Sequence, residues 1–392
     1  MKYFLLMKIA KALLMLAASS SIAASADVVI TMGGDVNFNR NRINVNSAGV
    51  LYSSSPTPWR NFTAGIRPLI NGDINFANIE TVVSSSNEIS NEDKQFAFRS
   101  HPNAVRHLID LGFNLFNLAN NHTYDYGHEG MRHTMGEMQK IQQEYPHIVY
   151  DGIDYRSNLL KPKIITKNGI TFAFATATIG DPRFKASQSQ PGILFVRDDR
   201  DYKDLIKAFS QTKADFKMLS IHFGTEGKVE LDGGQKSRFE YALTYGGVDL
   251  IIGHHPHVVR PIQKQGDKYI YYSLGNYMMV GSADITKKID TRKDWGMFSR
   301  LYVERDPQTG KVKVDAIEVI PLTNTHSQAR PMEASKATER IYGLNQLGQS
   351  EIGNASLILK ADQVTGRGIY CDSKLNSIRA KTMCASQLNL RF

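Results

Sequence analysis

The stretch Ile251-Ile252-Gly253-His254-His255-Pro256-His257-Val258-Val259 decides how this chain is read, because three of its eleven histidines fall within four residues. The short, largely apolar run Val248 to Ile252 that leads into it reads as a buried strand. The chain then leaves the sheet at Gly253 and carries the histidines just past the strand end. In open α/β sheets, ligands bind in the crevice at the carboxyl ends of strands, and imidazole is the commonest metal ligand among side chains. Alone, the stretch supports two readings: a metal or phosphate site at a sheet edge, or a solvated histidine-rich turn.

Outward from there the pattern repeats. Residues 28–32 read as a strand broken by Gly33-Gly34 before Asp35, and residues 36–66, with Ser53-Ser54-Ser55-Pro56, as a long loop. Ile74-Asn75-Phe76 is a second strand ending at Asn78-Ile79-Glu80, and residues 84–94 are a polar, exposed loop. The apolar spacing Val105, Leu108, Ile109, Leu111, opened by Ser100-His101-Pro102 and stopped by Gly112, predicts a helix. Residues 113–118 read as a strand ending at Asn120-Asn121-His122, and 130–143 as a helix. Strands at 170–178, 216–221, 248–252, 269–273 and 312–320, with helices at 199–209 and 235–245, complete an alternation that points to α/β architecture. Beyond Thr323 the pattern weakens, so 27–323 is expected as the main domain and 324–392 as a small C-terminal appendage with short helical pieces.

A content of 42% hydrophobic and 22% charged residues is that of a globular protein. Residues 1–26 are set apart as a secretory signal peptide: Lys2, Lys8 and Lys11 precede the apolar run Ala12 to Ala18, and Ala24-Ser25-Ala26 offers a cleavage pattern. Met7 is an alternative start. The expected location is therefore the periplasm or outside the cell. Removing three lysines lowers the formal charge from +9 to +6. That charge is spread rather than clustered, mildly favours anionic partners, and comes with no nucleic-acid-binding module. The only cysteines, Cys371 and Cys384, could form one disulfide in an exported chain.

Asp35, Glu80, Asn121-His122, His222 and His255-His257 each lie just past a predicted strand end. In a mostly parallel sheet those ends share one edge, where a few convergent polar groups make a site. Each has an ordinary explanation by itself: Asp35 and Asn121 as turn residues, Glu80 as a surface carboxylate, His222 as a core histidine. Recurrence at five strand ends favours a metal site, with donors that suit Zn, Mn or Fe better than Ca. Two ions bridged by a carboxylate could polarise a phosphoryl oxygen and generate a hydroxide nucleophile. Glu226 could orient a histidine, and Arg183, Lys228 and Arg260 could meet an anionic substrate. Ser273 lacks the Gly-x-Ser-x-Gly elbow of a nucleophile and reads as a turn.

Gly34-Asp35, Asn78-Ile79-Glu80, Asn117-Leu118-Ala119-Asn120-Asn121-His122 with Asp125-Tyr126-Gly127, His222-Phe223-Gly224-Thr225-Glu226, Gly253-His254-His255-Pro256-His257 and Tyr272-Ser273-Leu274-Gly275-Asn276 form an ordered set across roughly Asp27 to Pro321. The set resembles the CapA family, bacterial capsule synthesis proteins associated with poly-γ-glutamate, which is similar to the calcineurin-like metallophosphoesterases. That resemblance implies a four-layer α/β/β/α sandwich with a centre for two divalent ions. It implies Asp35, Glu80, Asn121, His222, His255 and His257 as metal ligands, with Glu80 bridging, and His122 as the catalytic acid or transition-state donor. Asn37, Asn78, Asp125, Glu226 and His254 would flank them or meet substrate. Two features depart from the phosphoesterase pattern: Asn37 stands where a histidine ligand would be, and Glu80 replaces an aspartate. The expected function is an exported protein of capsule or envelope polymer synthesis with a metal-dependent, phosphoesterase-like hydrolase or transfer site. It would act on an anionic polymer or a phosphoester or acyl substrate, beside a membrane synthetase complex. The alternative is a non-catalytic polymer-binding or export factor using the same cleft.

Overall fold

The computed structural model describes residues 27–51, 55–280 and 295–388; the expected signal peptide lies outside them. In chain order the strands begin with β1 (Asp27–Asn37), the hairpin β2 (Gly49–Leu51) and β3 (Pro56–Pro58), and β4 (Ile74–Ile79). A two-stranded ribbon, β5 (Val82–Val83) and β6 (Arg99–Ser100), precedes β7 (Leu115–Asn117) and β8 (Val149–Asp151). Next come β9 (Lys163–Lys167), β10 (Ile170–Thr178), β11 (Phe216–His222) and β12 (Leu250–His254). The strands β13 (Ile262–Gln265), β14 (Lys268–Tyr271), β15 (Asn276–Met279) and β16 (Gly296–Arg305) follow. The last are β17 (Val312–Thr323), β18 (Arg330–Pro331), β19 (Lys360–Ala361) and β20 (Gly368–Cys371). The longer helices are α1 (Pro102–Asp110), α2 (Gly127–Glu144), α3 (Asp199–Gln211), α4 (Gly233–Tyr245), α5 (Ala334–Ile352) and α6 (Ile378–Leu388).

The expectation of a single sheet edge is corrected: there are two large sheets. One has the order β19-β20-β17-β16-β1-β4-β7-β8, with β15 also on β1 and β18 on β17, and the other β13-β14-β12-β11-β10-β9. Period-2 alternation explains how they stack. Val28, Ile30, Met32 and Phe76 from the first sheet share a buried cluster with Phe172, Phe174, Met218, Leu250 and Ile252 from the second. The intervening residues point the other way. Ala173, Ala175, Leu219, Ile221 and Ile251 bury against Leu205, Phe209, Phe239 and Leu243 of α3 and α4. Ala77, Ile79 and Phe116 bury against Val105, Leu108, Met131 and Met138 of α1 and α2. The result is the α/β/β/α sandwich, with an apolar layer between the sheets and helices on both outer faces.

Several sequence expectations change. β1 does not stop at Gly33-Gly34 but runs to Asn37, with its register to β4 shifting between Met32 and Asp35. Glycine is needed there for close approach: a Cβ on Gly34 would collide with the Gly275 carbonyl oxygen. Likewise β12 continues through Gly253 to His254, and a Cβ on Gly253 would collide with the carbonyl oxygens of Tyr271 and Tyr272. The 36–66 segment carries the β2–β3 hairpin and a short helix, Trp59–Phe62. The C-terminal segment contains the 19-residue α5 rather than short pieces alone. Its strand β20 pairs with β17, and Ile341, Leu344, Leu357 and Leu359 join the inter-sheet core. Cys371 and Cys384 are disulfide-bonded, tying β20 to α6. No helix among the described residues is long and apolar enough to cross a membrane.

Candidate metal centre

Parallel pairing of β1, β4 and β7 in one sheet and of β11 and β12 in the other sets five strand ends toward one place. Asp35 sits near the end of β1, Glu80 follows β4, Asn121 and His122 follow β7, and His222 ends β11. The turn after β12 supplies His255 and His257, and both histidines take positive φ (94° and 56°). Residues with a Cβ rarely adopt that conformation, and it is held only where surroundings enforce it. Asp35, Glu80, His222, His254, His255 and His257 are all buried, which rules out the solvated turn.

Two ligand groups emerge. Glu80, His222 and His255 form one, and Asp35, Glu80 and His257 the other, with donor atoms in each within 4.8 Å of one another. Glu80 belongs to both. Its Oε1 lies 3.4 Å from His222 Nε2, 3.5 Å from His257 Nε2 and 3.8 Å from His122 Nε2. The Asn121 Oδ1 is 2.7 Å from His222 Nε2, on the side of the first group. His255 Nδ1 lies 3.1 Å from the same His222 nitrogen.

The electrostatics match those of a cation site. Burial and the neighbouring Asp35 charge push the Glu80 carboxyl well above the ordinary range. Burial alone would raise Asp35, but the His254 ring beside it and the positive charge that His254, His257 and His222 take on when protonated outweigh it and hold Asp35 below its usual value. Burial drives His222 well below the normal imidazole value and His255 down to about 3, helped by neighbouring histidines. These imidazoles are therefore neutral at neutral pH, the form that ligates metals. Glu80 is 0% exposed, and neither carboxylate oxygen has a hydrogen-bond partner. A buried carboxylate without partners is costly unless a cation meets it. The residues fit divalent metal on that ground as well as by donor chemistry.

Around this set lies a layer of orienting groups. Asn78 Nδ2 donates to Asp35 Oδ1 at 2.8 Å and lies 3.2 Å from His222 Nδ1, while its own oxygen accepts from Asn117 Nδ2 at 2.9 Å. His254, at the end of β12, places Nδ1 3.1 Å from Asp35 Oδ1. His122 Nδ1 is 2.7 Å from Asp125 Oδ2, whose other oxygen is paired with Lys94. Burial lowers the His122 pKa against the opposing pull of Asp125. Glu226 is exposed, with Oε1 3.7 Å from His255 Nε2.

Asn37 joins neither ligand group. Its amide donates to the carbonyls of Asn39 (2.6 Å) and Val280 (2.7 Å), and its oxygen accepts from Ser100 Oγ at 3.2 Å. Arg260 is corrected as a substrate contact: it is buried, bonded to Gln235 Oε1 at 2.6 Å and to the carbonyls of Lys228 and Thr225. Arg183 pairs on the surface with Asp181 and Glu92. Tyr124 stacks on Phe184 with ring centroids 4.4 Å apart. Besides Asn117, which supports Asn78, two contributors escape sequence reasoning. Asn276 Oδ1 lies 2.8 Å from His257 Nδ1, and Lys94 Nζ donates to the Asn121 carbonyl at 2.6 Å. Asn276 ends a motif already singled out, though without a role; Lys94 carries no signal within its polar loop.

The PGA biosynthesis protein CapA of Bacillus subtilis (strain 168) is 31% identical to this chain over 204 residues, covering 51% of this chain and 52% of that protein. The capsule biosynthesis protein CapA of Bacillus anthracis is 27% identical over 258 residues, covering 64% and 57%. The chain thus spans little more than half the length of these relatives. Among solved structures, the calcineurin-like phosphoesterase YfkN of Bacillus subtilis is similar at a TM-score of 0.39 and 13% identity, covering 82% of this chain and 97% of that one. Haemophilus influenzae NAD nucleotidase (NadN) is similar at 0.39 and 12%, covering 81% and 63%. Likeness at that distance carries nothing about what this chain acts on. Residues 29–280, well over half of the chain, match the family described as bacterial capsule synthesis protein PGA_cap, and the chain belongs to that family.

Proposed function

We propose that this chain is an exported accessory of capsule or envelope polymer synthesis, of poly-γ-glutamate type, with a two-ion centre that performs hydrolysis or transfer at a phosphoester or acyl bond. The observation that carries the reading is Glu80, buried with both oxygens unpartnered and common to the two ligand groups. Asp35 and His257 would hold one ion, His222, His255 and Asn121 the other, and Glu80 both; Mn, Zn and Fe suit the donors. Bound there, divalent ions supply Lewis acidity, polarising the substrate oxygen and making water a stronger acid. The protein's own part is orientation and proton handling. Asp125 fixes the ring of His122 through Nδ1, which leaves Nε2, on the Glu80 side, to take up or return the proton at the reacting oxygen. Asn78 donates to the Asp35 carboxylate, the His254 ring lies beside it, and Asn276 holds His257. Export is supported by the N-terminal pattern of residues 1–26 and by the Cys371–Cys384 disulfide, which suits an oxidising compartment.

The test joins metal content to turnover. Purified protein should carry divalent metal and hydrolyse an aryl phosphate with added Mn or Zn; His255→Ala should lose metal and Ser273→Ala should keep it. Equal metal in both variants, or none in the parent, refutes the ligand assignment. Full metal occupancy without turnover, together with retention on an acidic polymer, would replace catalysis by the polymer-holding role, which the formal +6 of residues 27–392 favours. An N-terminus other than Asp27 in the exported protein would refute cleavage after Ala26.

A further inference from the structure

At the opposite end of β1 from Asp35, α6 and the turn before β20 border a cavity of about 390 Å³ on the outer face of the first sheet. That volume is in the range of small-molecule sites. Val29 and Tyr302 contribute apolar surface from the sheet, and Ile378 and Met383 from α6. Three guanidinium groups line it: Arg300, Arg367 and Arg379. Arg379 is matched by two carboxylates, Asp27 at 2.7 Å and Asp73 at 2.8 Å.

The other two are not matched. Arg300 pairs with Oε2 of Glu318, and Arg367 Nη1 with Oε1 of the same residue at 2.6 Å. Among the described residues, neither arginine has a second carboxylate within ion-pair distance. Two cations therefore share one anion. Arg300 is only 8% exposed, its Nε is buried with no hydrogen-bond partner, and its Nη2 reaches the Leu69 carbonyl at 3.3 Å and Asn71 Oδ1 at 3.0 Å. Glu318 already holds the buried Arg300, while Arg367 is 30% exposed, so the charge that Glu318 leaves unmatched faces the cavity, where an added anion would meet it. The planar guanidinium fork suits carboxylate and phosphate oxygens.

We propose that this cavity is a second ligand site, taking a small anion that carries a carboxylate or phosphate group between Arg300 and Arg367, with its apolar part against Val29 and Met383. It is distinct from the metal centre: Val29 and Asp35 are separated along β1 by roughly 20 Å of strand. The Cys371–Cys384 disulfide ties α6 to β20, the strand that directly follows Arg367, so the two walls are covalently joined.

Calorimetric titration of the purified chain with inorganic phosphate and, separately, with glutarate tests this. At least one should bind, and the tighter of the two identifies the anion class. Arg367→Gln should weaken that binding at least tenfold. Glu318→Gln, which removes the competing carboxylate while keeping its shape, should tighten it several-fold; a merely structural ion-pair network predicts no tightening. Thermal unfolding of each variant confirms that it folds. Absence of binding by both anions, binding indifferent to Arg367→Gln, or binding not tightened by Glu318→Gln in a folded variant would each overturn the proposal.

Discussion

Replacing Glu80 by glutamine separates a carboxylate kept for a cation from one kept for the fold. The nearest donor oxygens of Asp35 and Glu80 lie within 4.8 Å. At an effective dielectric of about 20, two unit charges at that distance repel by about 3.5 kcal/mol. Glu80 also makes no hydrogen bond that would offset its desolvation. In chelator-treated protein, Glu80→Gln should therefore raise the unfolding free energy by up to about 3 kcal/mol, the full amount being reached once the pH exceeds the raised Glu80 pKa. The pH dependence has a defined sign. Because the folded pKa of Glu80 lies above its unfolded value, its contribution is favourable at low pH and is lost as pH rises through the folded pKa, so the advantage of the variant grows with pH. Metal reverses the order: at a concentration about one thousand times Kd, a bound ion stabilises the parent by about 4.1 kcal/mol, more than the variant's advantage, and the variant should gain little. The assay is urea unfolding of both proteins with chelator and with Mn or Zn. A variant destabilised equally under both conditions would mean that the protein itself satisfies Glu80, and the metal argument would fail.

Three further outcomes follow from particular contacts. Asn276→Ala removes the acceptor beside His257 Nδ1 and should weaken metal binding about 10- to 100-fold in a competition titration; unchanged affinity would leave Asn276 with only a packing role. Gly34→Ala forces a methyl group onto the Gly275 carbonyl and should cost about 3 kcal/mol or more, so a variant melting with the parent would contradict the close approach. Cys371→Ser opens a link spanning 13 residues and should cost about 3 kcal/mol in unfolding free energy; a loss below about 1 kcal/mol would mean α6 is held by packing alone.

Much of the fold is legible because it is written in local periodicity. The strands at 170–178 and 216–221 and the helix at 199–209 place apolar and polar residues in ways that local rules detect. What local rules do not carry is which strands share a sheet. β1 ends at Asn37, and its antiparallel neighbour β16 begins only at Gly296, so no local pattern links the two. The strand β16 itself gives no clean signal, since Ser299 and Arg300 interrupt its apolar run and Glu304 and Arg305 close it. The candidate site is legible through residue type. Carboxylates and imidazoles at strand ends stand out wherever they occur, and Glu80, His222, His255 and His257 meet in the fold. The roles of Lys94, Asn117 and Asn276 do not stand out, because an amide or ammonium gains meaning only from a partner far away in the fold. Arg260 misleads for the converse reason: charge suggests the surface, while its hydrogen bonds lie inside.

The turn that carries His255 and His257 also bears on how this protein could be altered. Both residues hold a backbone conformation that glycine adopts freely, and each such departure costs on the order of 1–3 kcal/mol. A search for thermostable variants would find glycine attractive at both positions, and each gain in melting temperature would remove an imidazole from the centre. Stability and the proposed metal centre thus compete for the same two positions. An engineering effort that scores stability alone would dismantle the site while reporting improvement, so positions 255 and 257 have to be held fixed before any such selection begins.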